Sequence, residues 1–536
     1  MLAALPVRLL VRAPSVPLMR RAPSTLIIIV LTLVLVSANS CASDSDDAGS
    51  PTTSAGPSTG PSTTAAPNYT PVFETGPCDA ERVPAAPAVV ECGTLIVPED
   101  RSQPDVRQVR LPVAITRASQ EPKKPDPIVY FSGGPGSPGL SAAKNWSKVG
   151  LDPTRDVITF DQRGTGASQP SLECAEVDDA TFKLFETADT PVEERPAMLA
   201  AFTACRQRLV AEGIDLNQFN TPQVGNDVAD LRTALGIGDW NIFGVSYGTT
   251  VALEMLRSHP QGVRSAVIDS VYPTDIGMGP ADFPEAERVF GVLADGCAKD
   301  AACNAAYPDL RALLTTAVDR LDATPYSLDI DVGDRVVKGL FTGTDLIGGL
   351  FNALYDTELI PLLPLFISSV AKGNVGILDA VAQSGINALT KAAEGQTASV
   401  DCADRQRIID QAQIQANIEK YPLYGLLATA RPIPELCPSW QVDSVDPAFN
   451  TMPETTIPTL VFGDEYDPVT APKNSERTAK ALGAAATFVL FPGLGHGATD
   501  AHPCPLSIFQ AFVTSPTDAV DTACVATMPP PKFTAS

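Results

Sequence analysis

From about residue 90 onward, short apolar runs rich in β-branched and aromatic residues alternate with stretches of helical period. "GTLIVPED", "VRLPVAITRA", "PIVYFSGG" and "DVITFDQRG" come first, followed by helix-like "VGNDVADLRTALGI" and the strand-like "WNIFGVS". A helix from about Tyr247 to Ser258, "VRSAVIDSV" and, much later, "PTLVFGDEYD" and "ATFVLFPGLGH" continue the series. Runs of this kind are buried on both faces, and the helices between them supply the cover, so the pattern predicts a mostly parallel sheet in an α/β fold. Between "VIDSVYP" and "TIPTLVFGD" the alternation stops, and helical segments such as "EAERVFGVLADGCA" and "PDLRALLTTAVDRL" dominate. Residues 275–455 are therefore expected to form a mainly helical cap between two parts of the sheet domain, 71–274 and 456–536. Such an insertion would stand above the carboxyl edge of the sheet, where open α/β sheets bind their ligands.

The first seventy residues have a different character. Arginines at Arg8, Arg12, Arg20 and Arg21 precede the apolar run Leu26 to Val36 and the stretch "SANSCAS", the order of a secretory signal peptide. The apolar run, about eleven residues, falls short of the roughly 20 needed to span a bilayer. Ala38-Asn39-Ser40-Cys41 resembles a loose bacterial lipobox, so residues 1–41 read as a signal peptide with Cys41 as a possible lipid anchor. Residues 42–70 are rich in Ser, Thr, Pro and Gly, bury too little apolar surface to offset the entropy of ordering, and read as a disordered tether. An exported protein, lipid-anchored at a bacterial surface or secreted, is expected, with membrane contact only through that anchor.

Composition narrows the choice of partner and compartment. Hydrophobic residues at 44% and charged residues at 19% fit a soluble globular protein, whereas the net charge of -24 repels phosphate backbones and makes nucleic acid an unexpected partner. The 11 cysteines are an odd number, and setting Cys41 aside leaves a set that can pair completely. They fall as near neighbours, Cys78/Cys92, Cys174/Cys205, Cys297/Cys303, Cys402/Cys437 and Cys504/Cys524, which predicts five local disulfides in an oxidising compartment. That is one connectivity among about 945. No cysteine shows tetrahedral spacing with histidine, so no metal is expected, and no cofactor is implied.

Candidate chemistry centres on "WNIFGVSYGTT". Gly-x-Ser-x-Gly alone is weak, and Gly56 to Gly60 carries the same pattern in the tether without a strand before it or a helix after it. At Ser246 an apolar strand precedes and a helix follows, the context of a nucleophile elbow. A serine hydroxyl needs a base, and the base an orienting carboxylate. Of the three histidines, His259 lies before Pro260 at the end of the elbow helix and His502 near Cys504, leaving His496 in "FPGLGHGATD" as the expected base. "VFGDEYDPVTAP" offers Asp464 and Asp467 beyond the penultimate strand, in the chain order Ser, Asp, His of α/β-hydrolases. Backbone N–H groups of Tyr247 and of Gly134, in "YFSGGPGSPG", are the expected oxyanion donors. That glycine-rich turn lacks both the lysine of a P-loop and the spacing of a dinucleotide fingerprint.

From about Cys78 to Phe533 the chain resembles the exported prolyl- and tripeptidyl-aminopeptidase group of α/β-hydrolase serine peptidases. "CGTLIVPEDR", "SGGPGSPG", "DQRGTGAS", "GVSYGT", "DEYDPVTAP" and "GLGHG", with the trailing pair Cys504 and Cys524, carry the resemblance together. It implies an α/β-hydrolase fold with a helical cap, and it implies Asp467, before Pro-x-Thr, as the third member of a Ser246–Asp467–His496 triad. Ser132 stands where the group usually has histidine, and Tyr247 points to its tripeptidyl branch. The group holds a substrate's free amino group with acidic residues of the cap, which makes Asp404 of "DCADR" a candidate, whereas Arg163 of "DQRGTG" is expected to brace loops. The expected activity is release of short peptides or single residues from peptide amino termini. The alternatives are a carboxylesterase with the same triad and a non-catalytic surface binding lipoprotein.

Overall fold

The computed structural model describes residues 69–535 apart from 85–87, 190, 278–282, 333–334, 380–381, 383–391, 422 and 425–432. The expected signal peptide, Cys41 and all but the last two residues of the expected tether lie outside the described residues. Strands β1 (Val72–Gly76), β2 (Val90–Pro98), β3 (Gln108–Thr116), β4 (Ile128–Phe131), β5 (Val157–Phe160), β6 (Trp240–Val245) and β7 (Val263–Asp269) come first in the chain. After a hairpin of β8 (Tyr326–Val332) and β9 (Arg335–Phe341) come β10 (Thr459–Asp464) and β11 (Ala486–Phe491). Nine of them form one sheet in the order β1-β2-β3-β5-β4-β6-β7-β10-β11. β1, β2 and β3 join antiparallel, as does β3 to β5, and every pairing from β5 to β11 is parallel.

The parallel strands lack a polar face because helices cover both sides. Along β4, Ile128 and Tyr130 pack into one apolar cluster with Trp146, Phe509 and Phe512, while Val129 and Phe131 pack into another with Val228, Val251 and Leu482. Helices Ala142–Val149 and Pro503–Thr514 thus lie on one face, and Thr221–Ala234, Tyr247–Ser258 and Pro472–Leu482 on the other.

β7 and β10 are neighbours in the sheet although most of the chain between them lies outside it. That intervening chain builds its own core, in which Val289, Phe290, Leu314, Leu350 and Phe366 are buried together. Its helices include Phe283–Lys299, Leu310–Ala323, Gly343–Ala353, Leu363–Ala371 and Glu394–Val400, the last running into five residues of π-helix, Asp401–Arg405. The β8–β9 hairpin departs from the helical expectation for this region: "YSLDIDV" and "RVVKGLF" pair antiparallel along their whole length.

All five expected disulfides are present: Cys78–Cys92, Cys174–Cys205, Cys297–Cys303, Cys402–Cys437 and Cys504–Cys524. A set of this size suits an extracellular protein, since reducing compartments keep thiols apart. No described helix is long and apolar enough to cross a membrane.

Candidate active site

Ser246 sits between β6 and the helix Tyr247–Ser258 with φ 57° and ψ −127°, a backbone conformation that L-residues rarely adopt. Two glycines make that turn possible. A methyl group on Gly244 would lie 2.2 Å from the Gly248 carbonyl oxygen, and one on Gly248 would lie 2.1 Å from that of Phe131, so strand, turn and neighbouring strand pack backbone to backbone. The Tyr247 side chain is fully buried beneath the turn and its hydroxyl bonds to Thr221 Oγ1 at 2.7 Å. The backbone N–H of Tyr247 opens the helix, where donors without intrahelical partners and positive dipole collect.

Across two strands, beyond β10, Asp467 is fully buried and its carboxylate accepts from His496 Nδ1 at 2.9 Å. The same carboxylate accepts from Val469 N at 2.9 Å, Thr470 N at 2.8 Å and Thr470 Oγ1 at 2.5 Å, so its orientation is overdetermined. Burial would push the His496 imidazole down, but the charge and hydrogen bond of Asp467, with Asp269 beyond, hold it above its ordinary value. Burial likewise opposes ionisation of Asp467, and the facing imidazole and the Thr470 bonds hold its carboxyl below the usual range.

Asp269 at the end of β7 ties the two regions together. Its carbonyl oxygen accepts from Ser246 N at 3.0 Å, and its carboxylate accepts from Ala498 N, Thr499 N and Thr499 Oγ1 just past His496. Ser270 adds a second tie, its hydroxyl accepting from Gly497 N at 2.8 Å and donating to Asp464 at 2.9 Å. Asp464 bonds Ser270, whereas His496 Nδ1 bonds Asp467, and burial, with Asp269 and Asp467 nearby, pushes the Asp464 carboxyl well above the usual range. From the insertion, the Tyr355 carbonyl accepts from His496 N at 2.9 Å, and the Tyr355 ring lies 4.7 Å from the imidazole.

The glycine turn after β4 approaches Ser246 directly: a methyl group on Gly133 would lie 3.0 Å from Ser246 Cβ. Gly134, at φ 110°, is the next residue along. Gln162 donates to Ser132 O at 3.0 Å and Asp161 accepts from Leu140 N at 2.8 Å, so the "DQRGTGAS" loop holds both ends of the turn. Arg163 is fully buried in a two-pronged pair with Asp227, at 2.7 and 2.6 Å, in keeping with a bracing role. His259 bonds Asn226 at 3.0 Å, and His502 caps the last long helix by accepting from Cys504 N, so neither competes with His496.

Asp404 is 1% exposed and faces inward, not toward solvent. Its Oδ1 accepts from Thr221 N at 3.4 Å, and burial, with Asp401 nearby, pushes the carboxyl up to about 7 against the Thr221 bonds and Arg405. Among the described residues one grouping, Cys174, Glu176 and Cys205, brings metal-type donors together, but its two sulfurs are joined as a disulfide.

Thr470, Asp269, Ser270 and Tyr355 were not singled out from the sequence. Thr470 carried a local signal, since a hydroxyl three residues past Asp467 can reach back to its carboxylate. The other three act across the fold and carried none.

A sheet of this order with a strand–turn–helix serine defines an α/β-hydrolase, and a family model described as alpha/beta hydrolase fold matches residues 126–295. The chain is a serine hydrolase. A second model, described as TAP-like protein, matches residues 422–524, across Asp467 and His496. The chain is 25% identical to a tripeptidyl aminopeptidase of Streptomyces lividans, covering 82% of this chain and 84% of that one. It is also 25% identical to serine protease Hip1 of Mycobacterium tuberculosis, over 74% and 80% of the two chains. Carboxylesterase B of Mycobacterium tuberculosis is 24% identical, over 77% and 82%. The chain thus belongs with hydrolases whose relatives include serine peptidases, as its resemblance to the prolyl and tripeptidyl aminopeptidase group implies.

Proposed function

We propose that this protein is an exported serine peptidase that releases short peptides or single residues from the amino termini of peptides. Ser246 Oγ attacks the scissile carbonyl while His496 Nε2 takes its proton, and Asp467 holds Nδ1–H and stabilises the imidazolium. The carbonyl oxygen becomes an oxyanion facing the N–H groups of Gly134 and Tyr247. The imidazolium returns its proton to the leaving amine, the acyl group stays on Ser246, and a water activated by His496 releases the peptide acid. The intervening chain 275–455 acts as the cap that selects substrates with a free amino terminus, and Cys41 anchors the mature chain if it is acylated.

One observation above all supports this reading: the buried His496–Asp467 bond of 2.9 Å, on a loop tied through Asp269 to the backbone of Ser246. The test has two parts. A fluorophosphonate should label the protein and fail to label Ser246→Ala; labelling or turnover that persists in the variant refutes the acyl-enzyme. Tripeptide anilides with free amino termini should then turn over faster than the same anilides blocked, and faster than short acyl esters. The likeness to carboxylesterase B favours a second reading, an esterase, and preference for esters or blocked peptides would establish it instead. A protein that binds peptides but neither labels nor turns over would be a binding lipoprotein.

A further inference from the structure

The segment Ala393–Arg405 of the insertion touches the supports of both expected oxyanion donors. At its start, Thr397 Oγ1 donates to Pro135 O at 2.8 Å and Ala393 N donates to Gly136 O at 3.0 Å, which pins the middle of the glycine turn. The approach is close because residue 136 is glycine: a methyl group there would lie 2.5 Å from Thr397 Oγ1 and 2.9 Å from Ala393 O. Gly395 comes equally close to the neighbouring loop, donating to Leu172 O at 2.9 Å. At its other end the helix widens to π geometry, and Asp404 reaches Thr221, whose hydroxyl bonds the Tyr247 hydroxyl. Arg405 locks this end onto the core, donating to Ile276 O at 2.7 Å and to Thr250 Oγ1 at 3.2 Å, and lying 3.9 Å over the Tyr272 ring.

Gly133 and Gly134 have no side chains of their own to fix their peptide planes, and consecutive glycines rotate freely unless neighbours hold them. Donors contribute to an oxyanion hole only when they are aimed before the charge develops. We infer that Thr397 is a positioning residue for the oxyanion hole, and that the 393–405 segment couples the seating of the insertion to the aim of both donors. This rests on the acyl-enzyme reading above and adds to it a link from insertion to chemistry. Thr397 does not touch the substrate; it acts through the Pro135 carbonyl.

The experiment compares Thr397→Val, which keeps shape and loses the hydroxyl, with Thr397→Ser, which keeps the hydroxyl. For each, kcat and KM are measured on a free tripeptide anilide, with inhibition constants for a peptide boronic acid, which becomes tetrahedral on the serine, and for the product tripeptide, which does not. Loss of one donor outright costs about 10²–10³ in kcat, so a donor left present but misaimed should cost about ten-fold. Thr397→Val should lower kcat about ten-fold with KM within two-fold, weaken the boronate in parallel with kcat/KM, and leave product binding unchanged. Thr397→Ser should restore most of the loss. Unchanged kcat in Thr397→Val, loss without boronate weakening, or no rescue by serine overturns the inference. Should Thr397→Val not fold, Thr397→Ala removes the same hydroxyl with less bulk and is read by the same criteria, serine rescue included. Turnover surviving in Ser246→Ala would instead overturn the acyl-enzyme reading.

Discussion

Asp467→Asn removes one charge from the site and little volume. The carboxylate lies 2.9 Å from His496 Nδ1, with 9% of the imidazole and none of the carboxylate exposed, so solvent screens the pair little. At an effective dielectric of about 20, unit charges at that separation attract by about 6 kcal/mol. Loss of that stabilisation from a transition state carrying imidazolium corresponds to roughly 10⁴ in rate. Asparagine also keeps only one acceptor oxygen for the bonds from Val469 N, Thr470 N and Thr470 Oγ1. If its amide nitrogen turns to His496 it favours the wrong tautomer, with the proton on Nε2. The assay is kcat/KM on a tripeptide anilide across pH, with a thermal melt to show the fold intact. A roughly 10⁴-fold loss is expected, and the acid limb should move to lower pH, because burial then pushes the imidazole down with only Asp269 opposing it. The control is Asp464→Asn: burial, with Asp269 and Asp467 nearby, pushes that carboxyl well up and it bonds Ser270 instead of His496, so activity should fall no more than a few-fold. A loss under about 100-fold in Asp467→Asn, or a larger loss in Asp464→Asn, would refute the assignment of the acid.

In the unaltered protein, the base must be neutral to take a proton, and His496 is held above its ordinary value, so kcat/KM should fall with acid through a pH above that of a free histidine. A rate profile flat down to about pH 5 would count against it. Gly248→Ala puts a methyl group 2.1 Å from the Phe131 carbonyl oxygen, backbone that has no flexible end to move aside. It should destabilise the fold by about 1–3 kcal/mol and abolish fluorophosphonate labelling, read by melting and gel. Replacing Cys174 and Cys205 together by alanine opens a loop of sequence separation 31 and should lower stability by about 4 kcal/mol, measured by denaturant unfolding.

The core of the site was legible because its signals are local. Ser246, Asp467 and His496 each follow an apolar run that must be a buried strand, so a few adjacent residues reveal both element and edge. Near-neighbour cysteine pairing is local in the same sense. What escaped is long-range or overridden by context. Thr397 meets Pro135 across 262 residues, and nothing near either position announces the contact. Asp404 read as an acid that could meet substrate; it lies buried at the end of a π-helical stretch with Oδ1 accepting from Thr221 N, a contact across 183 residues that no helical periodicity encodes. The β8–β9 hairpin did carry a period-two pattern in "YSLDIDV", obscured by the helices on either side of it.

Two disulfides border the segment that reaches under the glycine turn: Cys402 within it is bonded to Cys437, and a methyl group on Gly395 would lie 3.3 Å from Cys174 Sγ. The Cys402–Cys437 bond is thus a covalent tie added to the contacts of Thr397, Ala393 and Arg405, so the segment's register against the glycine turn does not rest on hydrogen bonds alone.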